Sequence, residues 1–117
     1  MANPNIVNVA TINGNTAVQA VGTSATAIVT NAAASGKIYK VNLLIVSNID
    51  GTNNAELTAD LYRSSTAYHI AKTITVPADA SLDVLSKPLY LLEGDALRLT
   101  ANATGDLEAV CSFEGIS

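Results

Sequence analysis

The chain has 117 residues, 49% hydrophobic but only 4% aromatic, with no Trp, one Cys and a formal net charge of −4. A chain of this length is expected to form one domain and to bury roughly two-thirds of the surface it would expose unfolded, so its core needs neither disulfides nor metal. The acidic balance and the isolated placing of Lys37, Lys40, Arg63, Lys72, Lys87 and Arg98 argue against a nucleic-acid-binding face, and the lone Cys111 excludes an internal disulfide and a cysteine-based zinc site.

Asn3-Pro4-Asn5 predicts an extended start, because a residue before proline is biased away from helix. The N-terminus has neither a basic segment nor a continuous apolar one, so no signal peptide is expected, and no run approaches the roughly 18 apolar residues of a membrane span. In "IVNVATINGNTAVQAV" the apolar Ile6, Val7, Val9 and Ile12 precede Asn13-Gly14, a strong turn signal. A strand at about 5 to 12 and another at about 16 to 21 are predicted, followed by "SATAIVTN" (24 to 31) and a loop at 31 to 37. The stretch from Ile38 to Val46 is β-branched and aliphatic; the turn from Asp50-Gly51 to Asn54 then leads into Ala55 to Tyr62, read as the return strand of a hairpin.

Ser64-Ser65 predicts a further turn, and "AYHIAKTITV" (67 to 76) a strand ended by Pro77, which cannot donate to a ladder. In that strand Lys72 shares the inward register of Ile70, Ile74 and Val76, which calls for a bulge or a sheet-edge position. "SLDVLS" (81 to 86), "LYLL" (89 to 92), "ALRLTANA" (96 to 103) and "LEAVCSFE" (107 to 114) complete the series, with turns at Glu93-Gly94-Asp95 and Thr104-Gly105-Asp106. No window shows a helical period. The fold class expected is all-β: a two-sheet antiparallel β-sandwich, jelly-roll-like, of about eight strands, with an extended N-terminal arm. The division expected is an uncharged N-terminal arm or strand segment over residues 1–22 and a sandwich over 23–117.

Two features point to an undeclared partner. Residues 1–36 contain no Asp, Glu, Lys or Arg, although natural proteins guard exposed strands with charge or proline. The run Leu43-Leu44-Ile45-Val46 is apolar on both faces, whereas a strand of a two-layer sandwich needs only one. Leu44 and Val46 therefore call for a second cover, supplied by the N-terminal segment, a second copy or a host surface. Ile6, Val7, Val9, Ile12, Val18, Val21, Leu44 and Val46 are the partner-interface candidates.

No catalytic constellation emerges, and neither a cofactor nor a metal is expected. His69 is the only histidine and is expected to face solvent between core-facing Tyr68 and Ile70. Cys111 shares its face with Leu107, Ala109 and Phe113, which makes it a buried small hydrophobe. Glu93 with Asp95, and Asp106 with Glu108, flank turns and are expected to be solvated. "DGTNN" (50 to 54) offers oxygens but lacks the acid spacing of a calcium loop.

The stretches Gly36 to Tyr39, Asn48 to Gly51, Val76 to Ala78, Leu82 to Leu85, Tyr90 to Asp95 and Phe113-Glu114 follow a pattern of strand and turn chemistry. Over residues 36–117 this pattern resembles small virion proteins of tailed phages, cyanophage-like ones among them. The resemblance implies a non-enzymatic structural protein of the particle; together with the charge-free arm and the over-apolar strand it leads to the expectation of a head decoration or cement protein that sits on the major capsid protein as a homo-oligomer, often a trimer. It implies location in the virion after synthesis in the bacterial cytoplasm; the head exterior is expected because the charge-free arm and the over-apolar strand suit a shell-binding protein, and charge and hydropathy already argue against a nucleic-acid or membrane partner. A neck, tail or baseplate component is the alternative, as is a carbohydrate- or receptor-binding module using Tyr62, Tyr68 and Tyr90.

Overall fold

The computed structural model describes residues 10–117, so the candidates Ile6, Val7 and Val9 lie outside the described residues. Nine strands follow in order: β1 (Ile12–Val21), β2 (Thr26–Thr30), β3 (Ile38–Asn48), β4 (Ala55–Arg63), β5 (Thr66–Val76), β6 (Ser81–Asp83), β7 (Leu89–Leu91), β8 (Ala96–Ala101) and β9 (Leu107–Ile116). No helix among the described residues is long and apolar enough to cross a membrane.

The strands form two antiparallel sheets. The first has the order β1-β9-β3, with its far edge shared by β6 and β7, and the second has the order β2-β8-β4-β5. β6 pairs with Ile45 to Ser47, and β7 with Tyr39 to Val41, on the same side of β3. Taken as one broken strand, β6 and β7 make two four-stranded sheets between which the chain passes repeatedly, the arrangement of a jelly roll.

Where alternation was clear, burial follows it. Leu57 and Ala59, Leu97, Leu99 and Ala101, and Leu107, Ala109 and Cys111 all lie between the sheets, with almost no exposed surface. The core is aliphatic, and burying each Leu or Val contributes roughly 1.5–3 kcal/mol. Phe113 packs against the core edge with the ring of Tyr39, their centroids 5.4 Å apart.

Four expectations are corrected. Asn13-Gly14 is not a turn: the two residues pair with Gly115 and Glu114 within one unbroken β1. The neighbouring strand supplies a full ladder, and that outweighs a local turn preference. The strands expected to end at 12 and to span 16–21 are thus joined, residues 12–21 forming one strand of the first sheet.

The second correction concerns the stretch from Asn42 to Arg63, which is no hairpin. β3 belongs to the first sheet and β4 to the second, so the loop between them crosses the sandwich. Third, Val21, Leu44 and Val46 are core residues with at most 1% exposure, and no partner can reach them. A bulge at Asn42, where the register shifts between Val41 and Leu43, decides which of the two apolar sets faces the core. Val41 is inward before the bulge; after it Leu44 and Val46 turn inward, leaving Leu43 and Ile45 half-buried on the outer face. Finally, Tyr68 is exposed rather than core-facing, because β5 is a sheet edge with two register shifts. Those shifts, and the positive φ of Thr73, form the irregularity that Lys72 called for, and they leave Lys72 exposed.

Two buried asparagines pin the loops at opposite ends of β3. Asn31 donates from Nδ2 to the carbonyls of Lys37 (2.9 Å) and Leu91 (3.0 Å), tying the 31–37 loop to β7. Asn48 donates to the carbonyls of Asn53 and Val76, both at 2.9 Å, and its Oδ1 accepts from Asp50 N. Asp50 in turn accepts from Thr52 N, Asn53 Nδ2 and Asn53 N, which together hold its carboxyl below the usual range. The carboxylate of Asp50 is thus engaged in closing a turn, and Asn54 Oδ1 accepts from Ala78 N.

The β4–β5 hairpin closes through Ser64-Ser65, both at positive φ (51° and 61°), the geometry of a type I′ turn. Asn-Gly suits this turn far better than Ser-Ser. The double substitution Ser64→Asn with Ser65→Gly should raise stability by about 1 kcal/mol, read as a higher urea midpoint at unchanged slope.

Candidate self-association surface

The first 36 residues lack charge, and the structure places ten of them, as β1, along one edge of the first sheet. Thr11 and Ser117 exchange both backbone bonds at 3.0 Å, which makes them a hydrogen-bonded pair. The ladder from Ile12↔Ile116 to Val21↔Leu107 has no register shift, so odd-numbered residues of β1 bond to β9. Even-numbered residues Ile12, Gly14, Thr16, Val18 and Ala20 therefore aim their N–H and C=O groups out of the sheet. Among the described residues no strand pairs with this edge.

The other edges carry protective devices. β2 has five residues and a register shift, and β6 and β7 have three residues each. β5 is long, but it is kinked by two register shifts and carries Lys72 and His69. Short strands, bulges and charged side chains are the known means of blocking edge-to-edge pairing. β1 has none of them: it is ten residues long, regular, and free of charge and proline.

The side chains of the even-numbered residues lie on the outer face of the first sheet. There Val18 pairs with Val110 and Val110 with Ile45, giving an apolar row across three strands. Val18 is 75% exposed and Val110 42%. Beside them Gln19, Ala20, Glu108 and Ala109 line a shallow depression. Of the residues proposed from sequence, the structure brings Ile12 and Val18 together on this edge and removes Val21, Leu44 and Val46 to the core. Val110 was missed, although the alternation of Leu107, Ala109 and Cys111 already turns it to the outer face; only its place opposite Val18 needs the tertiary structure.

The charged groups do other work. Asp95, expected to be solvated, is buried, with both its oxygens held by Arg63: Nε to Oδ1 at 2.7 Å and a terminal nitrogen to Oδ2 at 2.6 Å. Burial opposes the carboxylate charge, but the fork from Arg63, the Leu92 N–H and the positive charge outweigh it, and the carboxyl sits below its usual value. Asp60, buried on the outer face of the second sheet, accepts from Arg98 Nε at 2.9 Å, and Arg98 lies 3.9 Å above the Tyr62 ring. His69 is exposed on β5 opposite Asp60 in register. Glu93 accepts from Gly36 N at 2.8 Å and braces the adjacent loop. No group of three or more His, Cys, Asp and Glu with metal-binding geometry occurs among the described residues. The three tyrosines do not share a platform: Tyr62 is capped by Arg98, Tyr68 lies on the β5 edge, and Tyr90 belongs to the other sheet. Cys111 is fully buried, and burial pushes its thiol up to about 11.

No protein-family model matches the chain, and comparison with curated proteins finds no match. Among solved structures, the chain is similar in fold to a subunit of the Bacillus endospore appendages, a family of disulfide-linked pili. That match has a TM-score of 0.55 and 16% identity, covering 92% of this chain and 87% of the other. Two structures of a pentameric capsid protein from metagenomic phage sequences overlap less, with TM-scores of 0.45 and 0.43 and 20% identity. They cover 86% of this chain, which spans 61% and 59% of theirs, and at that overlap they bear on neither fold nor function.

Two expected outcomes follow from these groups. The folded pKa of Asp95 is depressed, so its contribution is complete above its unfolded value near 3.8 and is lost as pH falls through the lower folded value. Asp95→Asn should cost about 2 kcal/mol near neutral pH, and chemical denaturation should show that difference shrinking as pH falls below the usual carboxylate range. Cys111 should react with an aromatic disulfide reagent at least a hundredfold more slowly in the native chain than in the unfolded one at pH 8.

Proposed function

We propose that this chain is a non-enzymatic structural subunit of a phage particle, acting as a capsid decoration protein that associates through its β1 edge. The observation that carries the reading is the uncharged, regular, unguarded edge of β1 beside the Val18–Val110–Ile45 row. Main-chain pairing along such an edge gives affinity without charged contacts. The resemblance of residues 36–117 to phage virion proteins supplies the particle.

Support for a non-catalytic role comes from where the ionisable groups are committed. Arginines hold the two buried aspartates, and the thiol of Cys111 is enclosed and kept protonated. The scattered tyrosines disfavour a sugar-binding platform. The likeness in fold to a pilus subunit supports a second reading, a filament subunit, since both roles use repeated copies of a small sandwich. That pilus is disulfide-linked, whereas the one cysteine of this chain is buried, so any such filament would be held without covalent bonds through Cys111.

Purified particles from cells expressing the chain, quantified by mass spectrometry against the major shell protein, test the proposal. A copy number comparable to the shell protein, or a fixed large fraction of it, is expected. A count one or two orders of magnitude lower would move the chain to the neck or tail. Absence from particles, with filaments of the purified chain visible by negative-stain electron microscopy, would replace the proposal with the second reading.

A further inference from the structure

The even-numbered backbone groups of β1 set a strict condition on any strand that joins the edge. Each hydrogen-bonded pair across the new seam must draw on Ile12, Gly14, Thr16, Val18 or Ala20. For a second copy related by a two-fold axis, the register that uses all five is centred on Thr16. It pairs Ile12 with Ala20, Gly14 with Val18 and Thr16 with its own equivalent. From the geometry we infer that two copies of this chain associate by antiparallel pairing of β1 with β1 about a two-fold axis at Thr16, joining their first sheets into one continuous sheet. This deepens the reading of the chain as a self-associating subunit by naming its partner and register.

Three observations favour a second copy over an unrelated strand. The register is self-complementary in shape: Val18, 75% exposed, falls opposite Gly14, whose missing side chain leaves open space. Each copy's Val18–Val110–Ile45 row then runs up to the seam, where the exposed valine meets the Gly14 backbone of the second copy, with Ile12 and Thr16 of that copy as its diagonal neighbours. The charge pattern is equally permissive. Each copy carries a net charge of −4, yet the paired segments contain no ionisable side chain, so the repulsion of two like molecules is smallest at this edge. Isologous contacts of this kind are the commonest way for identical chains to associate, and they satisfy the edge of both copies in one step.

The pairing predicts distances that fix the register. Facing residues of a hydrogen-bonded pair lie about 5.5 Å apart at Cα, within disulfide range, so Thr16→Cys should cross-link to its own equivalent. Val18→Cys faces Gly14 instead, and its own equivalent lies four residues further along, about 14 Å away. Thr16 and Val18 are both exposed and Cys111 is fully buried, so neither substitution disturbs the fold or competes for the oxidant.

The test uses the full chain at micromolar to millimolar concentration, first by sedimentation equilibrium and then by mild oxidation of the single-cysteine variants. A species of two 12.0 kDa chains is expected, unaffected by molar salt because no charge lies on the seam. Thr16→Lys places two ammonium groups face to face and should return the chain to a monomer with an unchanged circular dichroism spectrum. Thr16→Cys should cross-link at least tenfold faster than Val18→Cys.

A chain that stays monomeric throughout overturns the inference. So does a dimer, trimer or larger ring that survives Thr16→Lys, or equal cross-linking at positions 16 and 18. A dimer that never enters particles would overturn the particle reading alone, and a monomer bound in high copy to particles would overturn the pairing alone.

Discussion

The ladder on both sides of β9 is the constraint on which the rest of the molecule depends. This C-terminal strand lies between β1 and β3 and pairs along its whole length with each. It places Leu107, Ala109 and Cys111 under the second sheet and holds the N-terminal strand against the end of the chain. β1 has no other strand neighbour in its own sheet among the described residues. Its position is thus set by the β9 ladder, by the buried Val21, and by Gln19, which donates to the Ala27 carbonyl at 3.1 Å and ties β1 to β2 across the sandwich. Placing the first strand requires the last, so the native topology rests on contacts of large sequence separation, which are slow to form.

The ends of the sandwich are held differently from its middle. Between the sheets the contacts are mostly aliphatic, which favours burial without specifying register. Asn31, Asn48 and Asp95 supply register at the ends, each binding backbone or side-chain groups from distant segments. An amide that loses such partners inside the protein forfeits about 1–3 kcal/mol, so loops tied in this way have few alternative positions. The Arg63–Asp95 fork adds a charged clamp between the end of β4 and the turn before β8. Polar ties at both ends thus fix the loops around an aliphatic core.

Against this rigid frame β1 stands out as the place where the usual precautions are missing. The bulges of β2 and β5, and the short strands β6 and β7, interrupt the other edges. The contrast lies within a single molecule: among the described residues three borders are short or broken by register shifts, and the fourth is regular over ten residues. The absence of charge makes β1, as a lone edge in water, an aggregation hazard.

The sequence alone determined the class of the fold and most of its strands, because alternation and turn chemistry are local. The inward sets of β4, β8 and β9 were readable since each such strand has one buried face and side chains alternate with period two. Cys111 was readable for the same reason. Tertiary structure decided everything that depends on a residue's neighbour across space. The bulge at Asn42 exchanged the expected faces of Leu43 to Val46, because one extra residue inverts every side chain after it. Pairing with β9 carried Asn13-Gly14 through the middle of a strand. Asp95 became buried because Arg63, 32 positions away in the chain, was brought to 2.6 Å from it. The open edge of β1 was also decided there: that residues 1–36 lack charge is written in the chain, but an edge exists only once the sheet has an order, and the order follows from long-range pairing that no local pattern encodes.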